Sequence, residues 1–121
     1  MSFYPGEHNL SIYQGDTVSL EIQYLEGPTG AEVGKSLDGS STRCEVRTEP
    51  GSANVVASFT VTPDADQVTN PGLLVIELAP ADSALLSLTS YAYDLEITWS
   101  DGVVQTLIYG SIAVRKDVSK A

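Results

Sequence analysis

Residues 27 to 36 read GPTGAEVGKS and end in the Gly-Lys-Ser triplet that closes a nucleotide-binding P-loop. A P-loop needs a further glycine separated from Gly34 by four residues, because that length lets backbone N–H groups wrap the phosphates. Thr29 stands at that position, and Gly30 leaves the loop one residue short. No helical pattern follows to receive a phosphate at a helix N-terminus. We therefore interpret the stretch as a long polar loop and expect no nucleotide partner.

Nucleophilic chemistry would have to use His8, the single histidine, or Cys44, the single cysteine. His8 lies in a Gly-Glu-His-Asn turn outside the predicted sheets, where nothing would hold an imidazole for a Ser-His-Asp arrangement. Cys44 alternates with Thr42 and Val46 on the inward face of a predicted strand, so we expect an inert core thiol. A lone cysteine forms neither an internal disulfide nor a cysteine-rich zinc site.

Paired carboxylates are the remaining candidates for chemistry. Asp94 and Glu96 lie on the outward face of a predicted strand, roughly 7 Å apart in strand rise, a separation that suits general acid and base work. Because an outward strand face is normally polar, we interpret them as solvated side chains. Asp64 and Asp66 lie in a loop without the further oxygen ligands that calcium requires, although weak calcium binding stays open. The sequence therefore predicts no catalytic residue, no metal site and no cofactor, and thus a protein that is not an enzyme.

The composition is that of a globular domain with a strong negative charge. The chain has 121 residues, 42% of them hydrophobic, and a net charge of −10. This length predicts one domain, residues 1 to 121, around one core. A negative field repels phosphate backbones and anionic lipid, so we expect no nucleic-acid and no membrane partner. The N-terminus has no basic start followed by an apolar run, so no signal peptide is predicted.

Alternation of apolar and polar residues with a period of two dominates the chain and predicts an all-β domain. Residues 17 to 24 are the clearest case, because Val18, Leu20 and Ile22 share one face and polar residues occupy the other. Further strands are predicted at residues 9 to 13, 42 to 48, 55 to 61 and 73 to 79. The only helical candidate is APADSALLS, residues 79 to 87, where proline suits the first helical position.

A long hairpin is predicted over residues 91 to 114. Its turn is Asp101-Gly102, a strong signal for a two-residue type I′ turn. That turn pairs Trp99 with Val104, Ile97 with Thr106, Leu95 with Ile108, Tyr93 with Gly110 and Tyr91 with Ile112. Every inward residue then meets an apolar, threonine or glycine partner, which supports the register. Tyr91 or Tyr93 is expected to form a tyrosine corner, with its hydroxyl bonded back to the preceding crossover.

Together these elements predict an immunoglobulin-like antiparallel β-sandwich of about seven to nine strands, with one short helix before the final hairpin. The cysteine pair of antibody domains is absent, so packing alone would hold the sheets together.

Two apolar strips break the alternation. On the derived register Leu107 and Tyr109 point away from the core, and Leu73 and Val75 form an apolar outer row on an earlier strand. Exposed apolar patches usually mark contacts with other chains, so these four residues are the interface candidates. The pattern leaves open a bulge at Gly110, or cover by the long polar loop, as the alternative.

Three segments in order, YQGDTVSLEIQY, LDGSSTRCEVR and YAYDLEITWSDGVVQTLIYGSIAVRKDVS, resemble the immunoglobulin-like β-sandwich domains of tailed-bacteriophage virions. The N-terminal domain of phage baseplate upper proteins is among them, and the resemblance covers roughly residues 10 to 119. It implies a non-enzymatic structural component of the virion, made in the host cytoplasm, not secreted, and associated with the tail or baseplate. Its implied partners are other virion structural proteins in a symmetric multi-copy assembly.

Two alternatives stay open beside that role. Baseplate upper proteins continue into further domains, whereas this sequence stops at Ala121, so a stand-alone tail accessory protein or a capsid decoration protein is the first alternative. A carbohydrate-binding or adhesin module is the other, since such modules are also acidic β-sandwiches. It would need exposed aromatic side chains, for which Tyr109, Tyr13 and Tyr4 are the candidates.

Overall fold

The computed structural model describes residues 6 to 28 and 30 to 116. Over these residues the fold is all-β and sandwich-like, as the sequence predicts. The strands are β1 (Gly6–Glu7), β2 (Leu10–Tyr13), β3 (Val18–Gln23), β4 (Leu25–Glu26), β5 (Val33–Gly34), β6 (Ser41–Arg47), β7 (Val55–Pro63), β8 (Leu73–Leu78), β9 (Ser90–Thr98) and β10 (Val104–Arg115). The short helix α1 (Pro80–Ser83) precedes the final hairpin, as predicted.

The strands form one continuous, curled path and a separate β4–β5 hairpin. We call β1, β2, β10, β9, β6 and the first half of β7 the front sheet, and the second half of β7, β8 and β3 the back sheet. Strand β7 joins the two, because its first half pairs with β6 and its second half with β8. Strands β1 and β2 run parallel to β10, whereas the other pairings are antiparallel.

The core lies between the inward rows of the front and back sheets. Residues of both sheets belong to one buried cluster, whose completely enclosed members include Val46, Leu95 and Ile97 in front and Leu74, Ile76 and Leu78 behind. Two aromatic contacts add to it, since the rings of Tyr24 and Trp99 lie 5.4 Å apart and those of Phe59 and Tyr93 lie 5.9 Å apart. The alternation that predicted the strands thus also identifies the core.

The turn of the long hairpin differs from the predicted type I′ turn. The amide of Gly102 donates to the carbonyl of Trp99 at 2.9 Å, and the amide of Trp99 donates to the carbonyl of Val103 at 2.8 Å. Gly102 has a φ of 89°, while no described residue other than glycine has a positive φ. The connection is therefore a three-residue loop, a type I turn followed by a left-handed glycine. As a result Val104 pairs with Thr98, so the predicted Trp99–Val104 pair is wrong.

A β-bulge at Leu107 then restores the predicted register. Thr106 pairs with Glu96 and Ile108 with Leu95, which leaves Leu107 as the extra residue between them. The predicted pairing of Ile97 with Thr106 is therefore wrong, since Gln105 lies opposite Ile97. Beyond the bulge the predicted pairs are present: Leu95 with Ile108, Tyr93 with Gly110 and Tyr91 with Ile112. The loop is one residue longer than predicted and shifts the register by one, and the bulge at Leu107 shifts it back by one. Most of the hairpin therefore has the register that alternation predicts.

The crossover before the hairpin is fixed by side-chain hydrogen bonds to backbone. The Tyr91 hydroxyl accepts a bond of 2.8 Å from the amide of Leu88, which is the back-bond predicted for a tyrosine corner. In α1, the hydroxyl of Ser83 is fully buried; it donates to the carbonyl of Asp16 at 2.7 Å and accepts from the amide of Gly15 at 3.0 Å. These bonds attach the crossover to the turn before β3.

Candidate functional site

Tyr109 and Leu107, the candidates on β10, have separate positions in the structure. Tyr109 lies on the outer face of the front sheet, is 42% exposed, and pairs with Asp94 on β9. Leu107 is only 5% exposed, because the bulge turns its side chain into the core. The expectation that Leu107 forms part of an exposed outer strip is therefore wrong. The large apolar side chains of β10 that are exposed are Tyr109 and, next to the hairpin turn, Val104, which is 56% exposed.

The row that contains Tyr109 continues into charged residues on the neighbouring strands. Asp94 lies between Tyr109 on β10 and Glu45 on β6. Two arginines on β6 neutralise the carboxylates around it: Arg47 contacts Glu45 at 2.8 Å, and Arg43 contacts Glu96 at 2.9 Å. Tyr109 borders a shallow groove along this charged face, and Arg43, Glu45, Arg47 and Asp94 also line it. This face thus combines one aromatic ring with alternating charges.

Asp94 and Glu96, the predicted carboxylate pair, lie in different electrostatic environments. Glu96 is paired with Arg43, whereas no ion pair involves Asp94 within the described part of the chain. Partial burial raises the pKa of the Asp94 carboxyl, and the carboxylates of Glu96 and Glu45 raise it further. The ionised form of outward-facing Asp94 is therefore disfavoured, first by partial burial and then by its acidic neighbours, while Arg47 and Arg43 act in the opposite direction.

Leu73 and Val75, the other two candidates, lie on the outer face of the back sheet. Both are partly buried, and they face Gln23 and Glu21 on β3. A second shallow depression includes both side chains, together with Glu21, Thr62 and Glu77. An apolar centre with carboxylates around it therefore occupies the back of the molecule, on the opposite sheet from Tyr109.

Asp64 and Asp66, the loop carboxylates, organise the chain between β7 and β8. The Asp66 carboxylate accepts hydrogen bonds from the amides of Thr69 at 3.0 Å and Val68 at 3.2 Å, and these bonds hold its pKa below the usual range. Asp64 accepts from the amide of Asp66 at 3.1 Å. Within residues 6 to 28 and 30 to 116, no three histidine, cysteine or acidic side chains are grouped so that they could hold a metal ion.

Gln67 is a structural residue that the sequence reasoning missed. Its side chain is 4% exposed and makes four hydrogen bonds. The Oε1 atom accepts from the amides of Leu37 at 3.0 Å and Gly72 at 2.9 Å. The Nε2 atom donates to the carbonyls of Asp64 at 2.9 Å and Leu73 at 3.1 Å. Gln67 thereby attaches the long polar loop to the start of β8.

The Gly-Lys-Ser triplet has structural roles. A side chain at Gly34 would place Cβ 2.1 Å from the carbonyl oxygen of Pro71, so only glycine fits this close approach. The ammonium of Lys35 lies 4.0 Å from the centre of the Trp99 ring, a cation–π contact, and 3.5 Å from Glu26. Thr29, which decided against a P-loop, lies outside the described residues.

His8 and Cys44 have contrasting surroundings. The His8 residue is exposed, and its backbone carbonyl accepts a 2.6 Å bond from the hydroxyl of Tyr93. Cys44 is 1% exposed, as predicted for a core thiol; burial raises its pKa to about 12, with smaller contributions from Asp94 and Glu45. Of the aromatic candidates for a sugar platform, Tyr13 is exposed, and Tyr4 lies outside the described residues.

Comparisons with known proteins assign this chain to no family. No family model matches the chain, and no curated protein matches it. Among solved structures, CopC from Methylosinus trichosporium OB3b aligns at 12% identity with a TM-score of 0.42, over 97% of this chain and 89% of that one. Within the described residues, none of the helical structure reaches the length and hydrophobicity that a membrane-crossing helix needs.

Proposed function

We propose that this chain is a non-enzymatic structural component of a tailed-phage virion, associated with the tail or baseplate, and that it acts through protein–protein contacts. The observation that carries the proposal is the placement of apolar side chains on opposite outer faces: Tyr109 in front, Leu73 and Val75 behind. A domain with two such faces can contact two neighbours at once. Repeated head-to-tail contacts of this kind close into rings when the rotation permits.

Two further features support a contact role in a virion. The order of the three sequence segments resembles immunoglobulin-like virion domains, and the all-β, sandwich-like fold is the one that this resemblance implies. The net charge of −10 would keep a free subunit soluble until a larger partner surface accepts it.

The first test asks whether the chain is a virion protein. Tailed particles produced from the genome that encodes it would be purified and analysed by quantitative mass spectrometry. We expect the chain in many copies per particle, and electron microscopy with an antibody should locate it on the tail or baseplate. Labelling of the head would show the capsid-decoration alternative to be correct. Absence of the chain from purified particles would contradict the proposal.

The second test asks whether the two faces make the contacts. Purified chain carrying Tyr109→Ser or Val75→Asp would be added to particles that lack the protein. Val103→Ser is the matched control, because Val103 is 49% exposed at the hairpin tip and belongs to neither face. We expect the control to assemble like the parent and both face variants to assemble poorly. Normal assembly of folded face variants would show that these residues are not the interface. Specific binding on a glycan array, lost in Tyr109→Ser, would favour the carbohydrate-binding alternative.

A further inference from the structure

Strand β3 has an open edge. It stands at the end of the strand order and pairs with β8 alone in the part of the chain that the structure describes. The pairing is continuous over six residues, from Val18 opposite Leu78 to Gln23 opposite Leu73, without a bulge. Natural edges are usually interrupted by proline, lysine or a bulge, and β3 has none of these. Its outer backbone groups are therefore arranged to pair with another strand.

The inward row of β3 is incompletely covered. Val18, Leu20 and Ile22 are only partly buried, although they point into the sandwich. The partner row on β8, Leu74, Ile76 and Leu78, has no exposed surface at all. The two rows are paired residue for residue, so the difference arises from position in the sheet: β8 has a strand on both sides and β3 on one. A strand added at this edge would cover the row.

The outer face beside this edge is acidic. Glu21 on β3 and Glu77 on β8 carry its charges, and neither strand contains lysine or arginine. A second copy of the chain paired through β3 would set Glu21 near its own equivalent, where the two carboxylates repel each other. A basic strand would instead place cations beside Glu21. Charge complementarity thus selects a different protein as the occupant.

We propose that β3 is the docking edge for an extended segment of a partner protein in which apolar and basic residues alternate. The segment would add a strand to the back sheet through main-chain hydrogen bonds. Its apolar side chains would cover Val18, Leu20 and Ile22, and its basic side chains would lie beside Glu21. Period-two alternation is required, because successive side chains of a strand point to opposite faces. This inference rests on the proposed function, in which the chain acts through protein–protein contacts, and it specifies the chemistry of one partner.

The test uses the purified chain and a capped peptide of alternating valine and lysine that matches the six residues of β3. A peptide of the same composition with its valines and lysines in two blocks has equal charge but cannot place them on opposite faces. Amide chemical shifts and hydrogen exchange would be followed during titration at about 0.15 M salt, which screens non-specific attraction. We expect the alternating peptide to shift and protect the β3 amides, and the block peptide to have little effect.

Charge-reversed variants make the assay specific. Glu21→Lys changes an exposed side chain on β3, and Asp38→Lys makes the same charge change at an exposed loop residue. We expect about tenfold weaker binding for the β3 variant and a change of less than about threefold for the control. Circular dichroism would establish that both remain folded.

The inference would be overturned if both peptides bound equally, if excess peptide caused no spectral change, or if the changes lay away from β3. It would also be overturned if both variants weakened peptide binding equally, or if the chain formed dimers through β3. Because the assay contains no particle, its result is independent of whether the chain is a virion protein.

Discussion

Leu20 on β3 and Ile76 on β8 lie directly opposite each other in the back sheet, yet Ile76 is completely buried and Leu20 is not. Both are aliphatic residues of similar size on the inward face. Strand order explains the difference, because β8 is enclosed by β7 and β3 while β3 ends the path. Stability should therefore depend on the two positions unequally.

Alanine substitutions at these two positions measure that inequality. We expect Ile76→Ala to lower the free energy of unfolding by about 2–5 kcal/mol, because it leaves a cavity in a closed part of the core. Leu20→Ala should cost about 1–2 kcal/mol, since its side chain transfers less surface from water. Urea unfolding of both variants provides the measurement. Equal losses would show that the β3 row is as well covered as the β8 row.

Replacing the side-chain amide of Gln67 should weaken the attachment of the long polar loop to the start of β8. Gln67→Leu keeps a buried side chain of similar size but removes four hydrogen bonds. It leaves the amides of Leu37 and Gly72 without this acceptor, so we expect a loss of about 3 kcal/mol in the free energy of unfolding. Gln14→Leu is the control, because the Gln14 side chain donates one exposed hydrogen bond, to the carbonyl of Ala84. A loss no greater than in the control would contradict the role given to Gln67.

Asp94→Asn should stabilise the protein at neutral pH. The raised pKa means that ionised Asp94 is disfavoured in the folded state, by partial burial and by Glu96 and Glu45. Below the ordinary value of 3.8 the carboxyl is protonated in both states, so the gain should vanish there and develop as pH rises through the folded-state pKa. Thermal unfolding at several pH values tests this. Glu96→Gln should give no such gain, because it removes the 2.9 Å contact with Arg43. Destabilisation by Asp94→Asn at pH 7 would contradict the prediction that ionised Asp94 is disfavoured in the folded state.

Alkaline solution should destabilise the fold through Cys44 before the tyrosines contribute. Burial raises the thiol pKa from 9.0 to about 12. The stability associated with the protonated thiol is thus complete below pH 9 and is lost as pH rises towards 12. Burial raises the pKa of Tyr24 and Tyr93 from 10.0 to about 12, so the decline in Cys44→Ala should begin about one pH unit higher than in the parent. Urea unfolding measured from pH 8 to 11 would detect the offset, and identical pH profiles would exclude it.

Two glycines of the final hairpin should respond differently to alanine. A Cβ at Gly110 would lie 2.1 Å from the carbonyl oxygen of His8, which accepts the Tyr93 hydroxyl bond. We expect Gly110→Ala to displace β1 and cost about 2–3 kcal/mol. Gly102 has open space around it but a φ of 89°, so Gly102→Ala should cost about 1 kcal/mol from backbone strain alone. Amide shifts of residues 6 to 9 should move in the first variant only; displacement of β1 by both would contradict this assignment.

Local sequence was sufficient for features that depend on neighbouring residues. Period-two alternation located the major strands. A tyrosine corner was predicted at Tyr91 or Tyr93, and the structure shows that Tyr91 makes the bond to the crossover, at Leu88. The Asp-Gly signal found the correct place for a turn but not its type. A type I′ turn and a type I turn with a left-handed glycine both need Gly102, so the dipeptide does not distinguish them.

The interface candidates show that local sequence was not sufficient to decide which side chains are exposed. Tyr109, Leu73 and Val75 lie on outer faces, but Leu107 does not, because one bulge inverts its orientation. A bulge is selected by how well an extra side chain fills the core, which depends on residues of other strands. Gln67 gave no signal either, since its four hydrogen-bond partners come from three separate parts of the chain: Leu37, Asp64, and the adjacent Gly72 and Leu73.

By itself, the sequence determined an acidic all-β chain with a buried cysteine, a long final hairpin and a short preceding helix, because composition and alternation act locally. Tertiary structure alone decided that the inward row of β8 is completely buried while the similar inward row of β3 is only partly buried. That choice follows from the order of strands in space: Ile76 has neighbours on both sides, and Leu20 lies at an edge. Strand order is a property of long-range pairing, which no pattern within β3 or β8 encodes.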